Sequence, residues 1–136
     1  MKKPSETIPG RMQIGELAER AGVSHRTIHY YERLGLMAPA EREGSGYRYY
    51  DKTSLKRLEK IQALKRLGLC LDDIGSVIDL YFEDATGIRG KEKVLDILRE
   101  QLERTEAQLD ELTTFRSELK SNITRMEGLI ADARKA

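Results

Sequence analysis

The stretch from His25 to Leu36, HRTIHYYERLGL, gathers two histidines, two arginines and an adjacent tyrosine pair within twelve residues. These side chains donate hydrogen bonds, and neither histidine stands beside a nucleophile in a setting that would form a catalytic pocket. A row of donors on one short helix suits an acceptor-rich partner, and the phosphates and base edges of double-stranded DNA are such a partner. Arg26, near the start of the stretch, is the best base-reading candidate, because a guanidinium forks onto guanine O6 and N7. His29, one turn further, suits a base or a phosphate, and the Tyr30 hydroxyl suits a phosphate oxygen. Ser24, His25 and Arg33 complete this first group of candidate DNA-binding residues, with Ile28 and Leu34 expected in the core and Tyr31 at its edge. Any one of these side chains is about as easily a solvated surface group. Five donors behind a glycine turn and a serine cap are harder to explain that way.

A second group, Arg42, Tyr47 and Arg48, flanks Gly44-Ser45-Gly46. Beside a DNA groove these residues would meet phosphates, whereas on a hairpin the tyrosines would equally pack across strands. Alternation along a strand places Tyr47 and Tyr49 on one face and Arg48 and Tyr50 on the other.

The elements that must hold these groups follow from local pattern. Ile14, Leu17, Ala18 and Ala21 recur at helical spacing, and Gly22 stands where a turn is needed. Ser24 is a natural N-cap for a second helix, which Gly35 ends. Two short helices joined by such a turn are a helix-turn-helix. Pro39 resists helix, and the Gly-Ser-Gly turn between extended arms reads as a small β-hairpin, a wing. Asp51 caps a third helix with an apolar face of Leu55, Leu58, Ile61, Leu64 and Leu67, stopped by Gly68. A fourth starts near Leu71 and is expected to bury Ile74, Val77, Ile78 and Tyr81.

From Lys91 the apolar period changes. Leu95, Leu98, Leu102, Thr105, Leu109, Leu112, Arg116, Leu119, Ile123, Met126, Ile130 and Ala133 alternate in steps of three and four, the seam of a coiled coil. A single amphipathic helix packed on its own domain shows a similar stripe. About forty residues, however, span about 60 Å, too far for a small head to cover, so a second copy of the chain is the expected partner. The dimerisation residues are then Leu95, Leu98, Leu102, Leu109, Leu112, Leu119, Ile123 and Met126.

The organisation expected is a disordered arm over 1–11, a winged helix-turn-helix domain over 12–82, a hinge over 83–90 and a coiled-coil helix over 91–136. The fold class is mainly α: four helices and a hairpin wing, followed by one long helix.

Composition agrees with an elongated, charge-laced design. Of 136 residues, 35% are charged and 39% hydrophobic, with no Trp and two Phe, too little for one large core. The net charge of +1 conceals an asymmetry: residues 1–68 carry 14 Lys+Arg against 8 Asp+Glu, and residues 69–136 carry 10 against 15. A polyanionic partner is thus expected for the first half. The single cysteine excludes an intrachain disulfide framework and a multi-thiolate metal site from one chain. No apolar run approaches the length of a signal peptide or membrane span, so a cytoplasmic location is expected. Cys70, near a helix start, is a candidate redox thiol; Asp72 and Asp73 oppose that reactivity, and packing or capping is the blander reading. No carboxylate pair suggests catalysis, so no enzyme activity is expected.

The segments GELAERAGVSHRTIHYYERLGL, GSGYRYYD and ALKRLGLCLDDI, in that order, resemble the MerR family of bacterial transcription regulators. The likeness covers residues 12–80 closely and the long helix in architecture only. It implies a homodimer joined by an antiparallel coiled coil, bound to a pseudo-palindrome in a promoter with an overlong spacer. It also implies that an effector makes the dimer twist and bend the DNA so that RNA polymerase engages. By position, DNA contacts fall on Arg26, His29, Tyr30, Arg42, Tyr47 and Arg48. His29 departs from the arginine usual there. Metal-sensing relatives use cysteines at and beyond the end of the long helix, and no cysteine follows Cys70, so neither metal nor cofactor is expected. Drug-sensing relatives add a C-terminal domain; with the chain ending at Ala136, a signal is expected to act through the head, hinge or coiled coil. Two other readings use the same residues: an effector-independent architectural protein or simple repressor, and a coiled-coil adaptor whose head binds protein. The basic lead-in residues Lys2, Lys3 and Arg11 are further candidates for DNA contact.

Overall fold

Helix α1 (Ile14–Ala21) ends where Gly22 adopts φ 71°, and the Ser24 hydroxyl then accepts the Thr27 amide at 3.1 Å to start α2 (His25–Arg33). The computed structural model describes residues 10–43 and 47–136, with the side chains of Glu43 and Tyr47 outside that description. A two-stranded antiparallel hairpin follows, β1 (Glu41–Glu43) and β2 (Tyr47–Tyr49), in which Arg42 faces Arg48. The expected Gly44-Ser45-Gly46 turn lies outside the described residues. Asp51 and Ser54 form a reciprocal capping box that opens α3 (Lys52–Arg66). Helix α4 (Leu71–Val77) tightens into a 3-10 segment, Ile78–Phe82, before α5 (Ile88–Lys135).

The described residues fall into two units, one through Lys93 and one from Val94 to Ala136. In the first, the core is Leu17, Ala18, Ile28, Tyr31, Leu58, Ile61, Leu64, Ile74, Val77 and Ile78, with Met12, Leu36, Met37, Tyr50 and Leu69 closing it. Arg57 of α3 ties separate segments together, donating from Nε to the Leu36 carbonyl and pairing with Asp79 at 2.9 Å.

Several expectations need correction. Leu34 and Leu67, assigned to apolar faces, are 48% and 54% exposed. Each follows the last residue of its helix, where Gly35 and Gly68 at positive φ redirect the chain, and Leu36, Met37 and Leu69 enter the core instead. Tyr31 is fully buried rather than at the edge. Its hydroxyl donates to Gln62 at 3.0 Å and accepts from Lys65 Nζ at 3.2 Å, which removes the penalty for burying it. Leu55 and Tyr81 are half-buried. Arg11, assigned to the arm, stacks 4.0 Å from the centroid of Tyr49, and Met12 pairs with Tyr50. Arg48 and Tyr50 border the same cleft, as alternation along the strand implies, with Tyr50 buried and Arg48 exposed.

The long helix begins three residues before the expected Lys91, so its first turn takes in part of the expected hinge. Asp84 prepares that start: its Oδ1 accepts from the Thr86 hydroxyl and from the Thr86 and Gly87 amides at 2.6–3.0 Å. These bonds hold its carboxyl below the ordinary carboxylate range, so their contribution is present above that range and fades on acidification. Gly90 sits inside the helix because Tyr81 lies against it: a Cβ there would come within 2.5–2.8 Å of three atoms of the Tyr81 ring. Gly90→Ala should therefore destabilise the fold by about 1–2 kcal/mol, overcoming alanine's helix preference of about 1 kcal/mol. In a thermal melt this lowers Tm by about 5–10 °C; an unchanged or raised Tm would show that the ring yields.

In the second unit the chain is one helix. Most expected seam residues are 45–63% exposed, namely Leu95, Leu102, Leu109, Leu112, Leu119, Ile123 and Met126, while Leu98 is half-buried. Phe115 and Leu129, which the seam pattern omits, are also exposed beside it. Thr105, the polar seam residue, satisfies its hydroxyl on the Gln101 carbonyl at 2.8 Å.

Candidate nucleic-acid interface

The fold presents the outer side of α2 as a row of solvent-facing donors. Ser24, His25, Arg26, His29, Tyr30 and Arg33 are all exposed, while Ile28 and Tyr31 anchor the opposite side in the core. Ser24 spends its hydroxyl on the helix, accepting from Thr27, so its part is to fix where α2 begins. Arg33 lies 5.7 Å from the centroid of Tyr30, so the two side chains share one patch.

The hairpin supplies a second positive group. Arg42 and Arg48 are exposed and directly opposite one another across the strands. Like charges in that register are unfavourable, and an anion bound between or beside them would relieve the repulsion. The backbone of Tyr47 pairs with Glu43, but the question of whether its side chain packs or binds lies outside the described residues.

Between these groups lies an open cleft of about 550 Å³, bordered by Gln13 and Gly15 at the start of α1, His25 and His29 of α2, and Arg48 and Tyr50. The cleft thus brings His25, His29 and Arg48 together and leaves Arg26, Tyr30, Arg33 and Arg42 outside its walls. Gln13 makes no side-chain cap to α1. The first amides of that helix therefore keep their hydrogen-bonding capacity, and the positive end of the helix dipole faces the same region. His25, His29, Arg48 and the α1 N-terminus together favour an anion here.

A carboxylate completes this site. Glu32 sits behind His29, with Oε1 3.1 Å from His29 Nδ1, and its Oε2 accepts from the Tyr50 hydroxyl at 2.6 Å. The i+3 spacing from His29 was legible; the bond to Tyr50 was not. Burial, reinforced by Glu32, pushes the Tyr50 hydroxyl well above its ordinary range, so it stays a donor at every physiological pH.

Cys70 is exposed at the start of α4 and makes no cap hydrogen bond. Among the described residues no group of three His, Cys, Asp or Glu side chains could hold a metal ion, and no helix is long and apolar enough to cross a membrane.

The family profile described as "MerR HTH family regulatory protein" matches residues 12–80, and "MerR, DNA binding" matches residues 55–121. The nodulation protein NolA of Bradyrhizobium elkanii is 39% identical over 117 residues, which cover 86% of this chain and 49% of that protein. The chain thus spans about half the length of the curated relatives it matches first. Among solved structures, the transcription regulator PbrR691 from Ralstonia metallidurans CH34 in complex with lead(II) aligns with a TM-score of 0.65 at 27% identity, covering 80% of this chain and 84% of that one. HiNmlR, a MerR family regulator lacking the sensor domain and bound to promoter DNA, aligns with a TM-score of 0.51 at 26% identity, covering 77% of each chain.

Proposed function

Since the chain belongs to the MerR family of helix-turn-helix regulatory proteins, a family of transcription regulators and not of enzymes, we propose that it binds promoter DNA as a homodimer and controls transcription by distorting that DNA. The observation that carries this reading is the cleft that brings His25 and His29 of α2, Arg48 of the wing and the α1 N-terminus together. In this reading Arg26 reads a base edge, while His29, Tyr30, Arg42, Tyr47 and Arg48 hold phosphates. Such contacts fix register, and the base contact confers sequence preference. The HiNmlR complex with promoter DNA supports the DNA partner. RNA polymerase, recruited to the distorted promoter, is the further partner proposed.

The dimer rests on the exposed apolar stripe of α5. Burying a large aliphatic side chain contributes about 1.5–3 kcal/mol, and a single solvated helix leaves that contribution unrealised along the seam. A second copy of the chain presents the same seam and realises it for both. Paired heads require a two-fold site. Selection of duplexes from a random pool should therefore enrich inverted half-sites whose centres are separated by about one helical turn, 34–36 Å, or a multiple of it. Enrichment of lone half-sites or direct repeats would contradict the paired-head arrangement.

A further inference from the structure

We propose that Glu32 aims His29 at a DNA phosphate and makes that contact require a proton, so that the chain holds its DNA with the His29 ring in the imidazolium form. The inference rests on the DNA-binding reading above and adds to it a positioning residue and a dependence on pH.

The geometry leaves the ring little choice. An ionised carboxylate only accepts hydrogen bonds, so at 3.1 Å from Glu32 Oε1 the His29 Nδ1 must carry a hydrogen. In the neutral ring that assignment leaves Nε2 with a lone pair and no hydrogen. A phosphate oxygen is likewise an acceptor, so neutral His29 held by Glu32 cannot bond it. Adding one proton turns Nε2 into a charged donor and makes the contact both bonded and electrostatically favourable. Glu32 is well placed to impose this state: its side chain is 11% exposed and fixed on its other oxygen by Tyr50, whereas His29 is 46% exposed on the cleft.

The other groups around the cleft act in opposing directions. Glu32 favours the charged ring, and a phosphate entering the cleft favours it further. His25 of α2, Arg48 of β2 and the positive end of α1 oppose it. Tyr50 remains a neutral donor throughout. The charged ring is therefore completed by the DNA itself, and binding takes up protons.

The test is fluorescence anisotropy with the selected inverted-site duplex at about pH 6, 7 and 8 and constant ionic strength. Wild-type affinity should fall by about tenfold for each engaged head from the lowest pH to the highest. His29→Arg carries a permanent charge and should give a flat profile. Glu32→Gln is the more telling variant. Its amide oxygen can accept from Tyr50 while its NH2 donates to His29 Nδ1, which moves the neutral ring's hydrogen to Nε2 and lets it bond phosphate without a proton. That variant too should lose the pH slope. His25→Asn should keep it. Tight binding with a flat wild-type profile would overturn this inference alone, as would a slope that survives in Glu32→Gln or disappears in His25→Asn. No binding at any pH would overturn the DNA-binding reading together with it.

Discussion

Changing Leu109 and Leu112 together to lysine is expected to convert a dimer into a monomer at micromolar concentration. The two side chains are 57% and 63% exposed in the single chain and stand one turn apart on the seam. In a dimer the change appears twice, so four leucines lose a burial contribution of about 1.5–3 kcal/mol each, a total of order 6 kcal/mol or more. Lysines facing one another across the seam add repulsion. Sedimentation velocity should show the loss directly, and affinity for a two-fold DNA site should drop by about 100-fold or more because the second head no longer binds in the same event. The head should keep its melting temperature and its affinity for a lone half-site. Glu111→Lys, adjacent in sequence but turned away from the seam, should leave the dimer intact. A double variant that still sediments as a dimer would place the self-association surface elsewhere.

The second large effect concerns Arg26. It is exposed in the first turn of α2, whose start is fixed by the Ser24–Thr27 cap. Removing a bidentate guanine contact costs about 1–3 kcal/mol per head. Arg26→Ala should thus weaken the dimer's binding to its own site by about tenfold or more, with relaxed preference at one base pair in each half-site. Folding stability should change by no more than about 0.5 kcal/mol, as for other exposed positions away from caps and cores. Arg48→Ala should behave differently, weakening all sequences alike and reducing the salt dependence by about one phosphate contact per head. Equal losses on specific and scrambled DNA for Arg26→Ala would make Arg26 a phosphate contact.

These residues also show where sequence is legible. The turn at Gly22, the Ser24 cap, the end of α2 at Gly35 and the Asp51 cap are local chemistry, and each stands where the pattern put it. The errors at Leu34 and Leu67 share one cause: helical periodicity was carried one residue past the last helical turn, where the following glycine redirects the chain. Tyr31 was misplaced because its partners, Gln62 and Lys65, are more than thirty positions away. Gly90 closes the expected hinge, yet it marks where the Tyr81 ring rests on the helix, a packing fact without a local signature. In the candidate site, the donors of α2 and the wing could be named from residue type. Glu32's grip on both His29 and Tyr50 could not, since it joins α2 to the end of β2.

Sequence reading by the head is decided by equilibrium binding to the duplex upstream of the protein's own gene, against a scrambled duplex, at about 0.05 M and about 0.2 M salt. A head that reads sequence should prefer the native duplex by about a thousandfold or more, a preference retained at the higher salt. Equal affinity for both duplexes, lost together as salt rises, would contradict it.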